Sequence, residues 1–335
     1  MTAQDPLSPN SKAARTPDRE GVLRAAAKIA EILPPTPLLP LEVDGVTLWC
    51  KAEMLQPVGA FKIRGAWHRL TDMTPLERKQ GVVAVSSGNH AQGVAWAARR
   101  LAIGATIVMP ENAPAAKIAA TRALGAEVVL YQRPGQDRDA IAAEITARTG
   151  AILVHPFADP WVIEGQGTLG IEAAAQMKAA GIDDGPQHIV ACCGGGGLAA
   201  GLALACPDAK LSIAEPEGWD DVIRSIEAGL IVPVADQSYQ TPCDALQTPR
   251  TFPINFTILK SRIYSSAAVT PADISAAMRL VFEKLRLVVE PGGAAALAAV
   301  VSGKIAIEGS ALVTLSGGNI DPNLFAKIIS NNTVR

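Results

Sequence analysis

Aromatic side chains are scarce in this sequence. Only 4% of its 335 residues are Phe, Trp or Tyr, although 49% are hydrophobic. Ala, Leu, Val and Ile must therefore fill the interior, as suits helices packed on parallel sheet. A charge surplus is also missing. Thirty Lys and Arg face 32 Asp and Glu, for a net charge of −2. That balance gives no electrostatic case for nucleic acid or an anionic membrane. No run approaches ~20 uncharged apolar residues, so no membrane span is expected. The stretch Met1–Arg15 is polar and proline-containing, without the apolar centre of a signal peptide, which points to the cytoplasm. The five cysteines (Cys50, Cys192, Cys193, Cys206, Cys243) are odd in number and lack a CxxC spacing. Cys192 and Cys193 end an apolar run and read as buried free thiols. His68, His90, His155 and His188 follow no zinc-like pattern.

What is present is an alternation. Apolar runs at Val82–Val85, Ala105–Met109, Glu127–Tyr131, Ile152–Val154, His188–Cys192, Leu211–Ala214 and Leu312–Leu315 read as buried strands. Ala-rich segments such as Ala91–Leu101, Ala115–Leu124 and Ile171–Ala180 read as helices, as does Gly21–Leu33 before Pro34-Pro35. The βαβα order predicts an α/β fold with a parallel, doubly wound sheet. In such sheets ligands sit beyond the carboxyl ends of the strands. Three of those ends carry unusual loops: Ser86-Ser87-Gly88-Asn89-His90, Gly194-Gly195-Gly196-Gly197 and Ser316-Gly317-Gly318-Asn319. Three such loops in equivalent positions suggest one shared site.

The four glycines leave the backbone open, so several N–H groups can point at one anion. A helix starting near Gly197–Leu198 would add its positive end. Close helix–strand packing is the competing reading. A nucleotide would also fit, but the spacing is neither GxGxxG nor a P-loop. Lys62 taken alone reads as a solvated helix lysine. Asn89 and Ser316 taken alone read as turn residues, and Ser87 as a helix N-cap.

The flanking residues change this. KAEMLQPVGAFKIRGA, SSGNHAQG, GGGGLAAG, EPGGAAALAA and LSGGN, in this order, resemble the motifs of the serine/threonine dehydratase and serine racemase family. Its members are fold type II pyridoxal-phosphate enzymes related to the tryptophan synthase β subunit. The resemblance covers roughly Thr36 to Asn319. It implies that Lys62 is the Schiff-base lysine, with Phe61 beside it. Gly194, Gly195, Gly196, Gly197 and Leu198 would hold the cofactor phosphate, and Asn89 would bond the ring 3′ oxygen. Ser87 would be the catalytic hydroxyl opposite the lysine, which racemases of the family use as a second acid/base. Ser316 would meet the pyridine nitrogen. A hydroxyl there leaves the ring a weaker electron sink than a carboxylate would, which suits β-elimination. Glu290 matches a family acid on the inner wall. Two positions depart from the family: Gly292, where a serine is common, and Phe157, where a polar residue can stand. His90 has no obvious chemical duty and reads as a supporting residue.

Glu215-Pro216-Glu217-Gly218-Trp219-Asp220-Asp221 resembles a loop that binds Mg²⁺ or Ca²⁺ in the racemase-like branch. Its ligands would be Glu215, the Trp219 carbonyl and Asp221. Alternatively Asp220 and Asp221 simply start the helix near Val222–Ala228. The resemblance further implies two domains, residues 1–72 with 160–335 and an inserted 73–159, and a homodimer. The activity it implies is loss of water from a small β-hydroxy amino acid, giving a 2-oxo acid and ammonia. Racemisation shares the first proton abstraction and stays open beside it. A dinucleotide-dependent oxidoreductase would leave Lys62 and Ser316 unexplained, and a non-catalytic binding protein would not need both Lys62 and Ser87.

Overall fold

The computed structural model describes residues 15–330, apart from 87, 114, 133, 134 and 236–238. Among the described residues, ten strands form two sheets. The smaller sheet runs β5-β4-β3-β6, from β3 (Val82–Val85), β4 (Ala105–Pro110), β5 (Glu127–Tyr131) and β6 (Ile152–Leu153). All its pairings are parallel. Its central strand VVAV is buried throughout, as expected of a strand covered on both faces. The larger sheet runs β1-β2-β10-β7-β8-β9. It comprises β1 (Leu38–Val43), β2 (Val46–Ala52), β7 (His188–Cys192), β8 (Lys210–Pro216), β9 (Ile263–Val269) and β10 (Ala311–Leu315). Here one pairing departs from the all-parallel expectation, because β1 and β2 form an antiparallel hairpin. Asp44 and Gly45 turn it, with φ of 48° and 79°. Two positive φ values in a two-residue loop match the right-handed twist of the flanking strands.

The strands that the hydrophobic pattern missed are β1, β2 and β9. β1 contains Pro40 and lies at an edge, β2 buries a lysine, and β9 is only partly buried and contains two serines. The helix expected at Ile171–Ala180 runs from Pro160 to Ala179. Gly165, Gly167 and Gly170 hid its first half, since glycine disfavours helix interiors. They serve close packing instead. A Cβ on Gly165 would lie 2.5 Å from Gly65 Cα, and one on Gly167 would lie 2.5 Å from the Gly201 carbonyl oxygen. Pro160 in its first turn and the Asp159 side chain, which accepts from Val162 N at 3.1 Å, start the helix. The first helix is Arg19–Ala30 rather than Gly21–Leu33, because Asp18 caps it two residues earlier than expected.

One buried polar network lies under the site. Arg64 donates to both oxygens of Glu53, at 2.7 and 2.8 Å, and pairs with Glu172 at 3.0 Å. Lys51 pairs with Glu172 at 2.5 Å and donates to the Thr36 carbonyl at 2.6 Å. Burial alone would raise the Glu53 carboxyl, yet the Arg64 guanidinium holds it below its ordinary value. Such a network gives register more than net stability. It fixes the helix that carries Arg64, and with it the residue two positions earlier. All five cysteines are free, and only Cys206 is not fully buried. Among the described residues, no helix is long and apolar enough to cross a membrane.

Candidate active site

Lys62 is the first residue of the helix Lys62–Thr71. The turn before it needs Gly59, which sits at φ 69° with Asn319 within 2.5 Å of where a Cβ would stand. The Phe61 N–H donates to the Ser316 carbonyl at 3.0 Å, and Ala60 bridges to Gly317. The lysine is thus tied directly to the loop after β10. Its Nζ donates to the Pro156 carbonyl at 2.7 Å. Burial pulls the Lys62 ammonium down to about 8, with the nearby Cys192 acting in the opposite direction. A sizeable neutral fraction near pH 8 is what an amine nucleophile or base requires.

A cavity of about 780 Å³ opens around this amine. Phe61, Lys62, Asn89, the 194–197 loop with Leu198, Glu290 and Ser316 all line it. The residues singled out on the three strand-end loops therefore meet in one place, except Ser87, which lies outside the described residues.

The glycine loop follows β7 and Cys193, and Gly197 begins the helix Gly197–Ala205. Gly196 is left-handed at φ 89°. No protein acceptor is found among the described residues for the N–H groups of Gly194, Gly195 and Gly197. Open donors at a helix N-terminus fit a phosphate. The competing reading, close packing, holds as well. Phe157 lies against the loop, 2.3 Å from a Cβ on Gly195, and its backbone is 2.9 Å from one on Gly197. Phe157 supplies no polar side-chain contact; it packs edge-on against His155 and Phe252.

Asn89 begins the helix Asn89–Arg100, and no side chain among the described residues caps it. Its amide N–H donates to Glu290 Oε1, and its oxygen accepts from Asn319 Nδ2 at 2.8 Å. Glu290 Oε2 is buried without a partner among the described residues. Burial, assisted by Asp244, raises the Glu290 carboxyl to about 7. Ser316 Oγ accepts from the Cys192 thiol at 3.2 Å. His90 Nε2 donates to the Val154 carbonyl at 2.8 Å, and burial lowers its pKa to about 3, so the ring is neutral. Gly292 faces Leu246, where a Cβ would come within 3.1 Å.

The acidic loop lies at the end of β8. Glu215 accepts from Val222 N at 3.2 Å and Ile223 N at 2.7 Å, so it is the residue that caps the helix Asp221–Ala228. Asp220 does not cap; it pairs with Arg224. The Trp219 indole donates to the Tyr239 carbonyl. Both Asp221 carboxylate oxygens are buried without a hydrogen-bond partner among the described residues. Among the described residues, no group of three or more His, Cys, Asp or Glu side chains converges as a ready metal site.

Sequence reasoning missed one pair at the cavity rim. Lys117, beyond β4, meets Asp244, beyond β8, at 2.5 Å. Neither residue belongs to a motif, and no periodicity links positions so far apart.

A family profile described as pyridoxal-phosphate dependent enzyme matches residues 29–317. The chain belongs to this family. It is 38% identical over 299 residues to the L-threonine ammonia-lyase of Thermotoga maritima, covering 88% of this chain and 72% of that protein. To the L-threo-3-hydroxyaspartate ammonia-lyase of a Pseudomonas species it is 37% identical over 317 residues, covering 92% and 97%. The structure of maize serine racemase superimposes with a TM-score of 0.86 at 32% identity, covering 94% of this chain and 98% of that one. Within this pyridoxal-phosphate family the fold is the type II arrangement.

Proposed function

We propose that this pyridoxal-phosphate enzyme removes water from a small β-hydroxy amino acid and releases a 2-oxo acid and ammonia. The observation that carries the reading is Lys62, a buried amine lowered to about 8, facing a cavity that also presents the open N–H groups of the glycine loop. Two relatives act, by name, on threonine and on threo-3-hydroxyaspartate. The cofactor, when bound, supplies a carbonyl for the substrate amine and a sink for charge developing at Cα. Lys62 would be the residue that holds it, and the buried Lys62 amine would serve as the base for the Cα proton. Gly194, Gly195, Gly196, Gly197 and Leu198 would hold the phosphate at this loop, where the N–H groups of Gly194, Gly195 and Gly197 stand open. Asn89 has an amide hydrogen left for the ring 3′ oxygen, and Glu290 and Asn319 fix its orientation. Phe61 keeps Lys62 and Ser316 in register.

The similarity to a serine racemase favours one second reading, in which Ser87 returns a proton from the opposite face. One assay separates the two. Purified holoenzyme is given L-threonine, L-serine and L-threo-3-hydroxyaspartate, and both 2-oxo acid and D-isomer are measured. Net 2-oxo acid release is expected, with borohydride fixing the cofactor on the Lys62 peptide and Lys62→Ala abolishing turnover. Label on another lysine, such as Lys51, would overturn the assignment. D-isomer as the main product, lost in Ser87→Ala, would establish the racemase.

Three finer points belong to the same proposal. Residues 73–159 act as a small domain closing on 1–72 and 160–335. The chain forms a homodimer. Glu215, the Trp219 carbonyl and Asp221 hold Mg²⁺ or Ca²⁺, a fit supported by the unpartnered, buried Asp221 carboxylate.

A further inference from the structure

Cys192 ends β7, and Ser316 follows β10, its neighbour in the larger sheet. The two side chains meet on the cavity wall, with the thiol donating to Ser316 Oγ across 3.2 Å. The Cys192 backbone N–H donates to Thr314 Oγ1 at 3.3 Å, which anchors the residue from the same neighbouring strand. Both residues are nearly inaccessible, Cys192 at 3% and Ser316 at 4%. Among the described residues the Ser316 hydroxyl donates to no protein atom. A hydroxyl carries one proton and two lone pairs. With the thiol proton on one lone pair, the hydroxyl proton is directed away from the thiol, and Ser316 lines the cavity. Burial raises the Cys192 thiol above its ordinary value, so it keeps the proton it donates.

We propose that Cys192 is a positioning residue that orients the Ser316 hydroxyl as a hydrogen-bond donor to the cofactor ring, and so sets how strongly the ring withdraws electrons. The inference rests on the reading that Ser316 meets the ring nitrogen. A donor fixed in place polarises that nitrogen without handing it a proton. A hydroxyl released from the thiol rotates among orientations, and only some of them serve the ring. The thiol acts only through Ser316, and no bond to it is made or broken.

Three variants test this: Cys192→Ala, Cys192→Ser and Ser316→Ala. Each is measured for the visible absorption of the holoenzyme against pH, cofactor affinity by equilibrium dialysis, kcat and KM, and the unfolding temperature of the cofactor-free protein. Loss of one neutral hydrogen bond corresponds to about a 5-fold effect. Cys192→Ala should therefore lower kcat and weaken cofactor binding by about that factor, displace the absorption band and leave KM unchanged. Cys192→Ser, which keeps a donor, should restore all three. An unchanged spectrum and kcat in Cys192→Ala would overturn the proposal. So would failure of Cys192→Ser to restore them while both variants lose the same unfolding temperature, since that pattern belongs to packing. Ser316→Ala separates the two layers. If it leaves the absorption unchanged, the Ser316 reading fails and takes the Cys192 role with it. If it shifts the absorption and Cys192→Ala does not, only the Cys192 role falls.

Discussion

Glu290 faces the cavity with one oxygen on Asn89 and the other without a partner among the described residues. Burial raises its carboxyl from 4.5 to about 7, and Asp244 adds to this, while Asn89 and Lys117 pull the other way. A carboxyl raised on folding binds its proton more tightly in the folded chain. Its favourable contribution is present below the unfolded pKa and is lost as pH rises through about 7. The cofactor-free protein should therefore lose roughly 3 kcal/mol between pH 5 and pH 8 through this residue. Glu290→Gln should remove that part of the slope, read from urea midpoints at the two pH values. Equal slopes in both proteins would show that the buried carboxyl is relaxed by water. At this scale the sequence was most legible where a motif carried the residue. Lys62, Asn89 and Ser316 stand out through their neighbours in the chain, and all three line the cavity. The thiol contact of Ser316 does not stand out, because it joins positions 124 apart through a sheet pairing that a single sequence does not display.

At the scale of elements, the helices Pro160–Ala179 and Gly197–Ala205 cross at a contact set by glycine. A Cβ on Gly201 would stand 2.4 Å from the Ile163 carbonyl oxygen and 2.5 Å from Gly167 N. Backbone cannot swing aside as a flexible side chain can, so the helices would have to separate. Gly201→Ala should cost about 1–3 kcal/mol by overpacking. Gly104→Ala is the control, because a Cβ there meets nothing within 4 Å. It should change stability by no more than ~1 kcal/mol. Chemical denaturation of both variants checks the pair, and equal midpoints would mean the crossing yields easily. The same glycines explain the misread helix. Propensity assigns a local cost to each glycine, whereas here the compensating term is a distant helix. The hairpin of β1 and β2 was more accessible, since Asp44-Gly45 is a turn signal. It was passed over because β1 carries a proline and β2 a buried lysine paired through the network below the site.

For the whole molecule, the acidic loop offers a direct test through stability. A cation that binds the folded chain stabilises it by mass action, about 2.7 kcal/mol at a hundred times the dissociation constant. Mg²⁺ or Ca²⁺ should raise the unfolding temperature relative to chelator, and Asp221→Asn should cancel the rise. Identical melting in both conditions would leave Glu215 as a helix cap alone. The larger sheet has a further consequence. Its strand order places β10, the last of the described strands, between β2 and β7. The pairing of Ala311 with Leu48 and His188 means that neither older strand has its inner neighbour until β10 exists. A ribosome adding ~5–20 residues per second leaves β2 waiting for more than ten seconds after it emerges. The smaller sheet, contiguous from β3 to β6, is complete long before. The nascent chain therefore carries an open apolar strand edge late into synthesis, where wrong pairings are most favourable. Ser316 emerges directly behind the strand that closes this gap, so the cavity wall is assembled only as the exposed edge disappears.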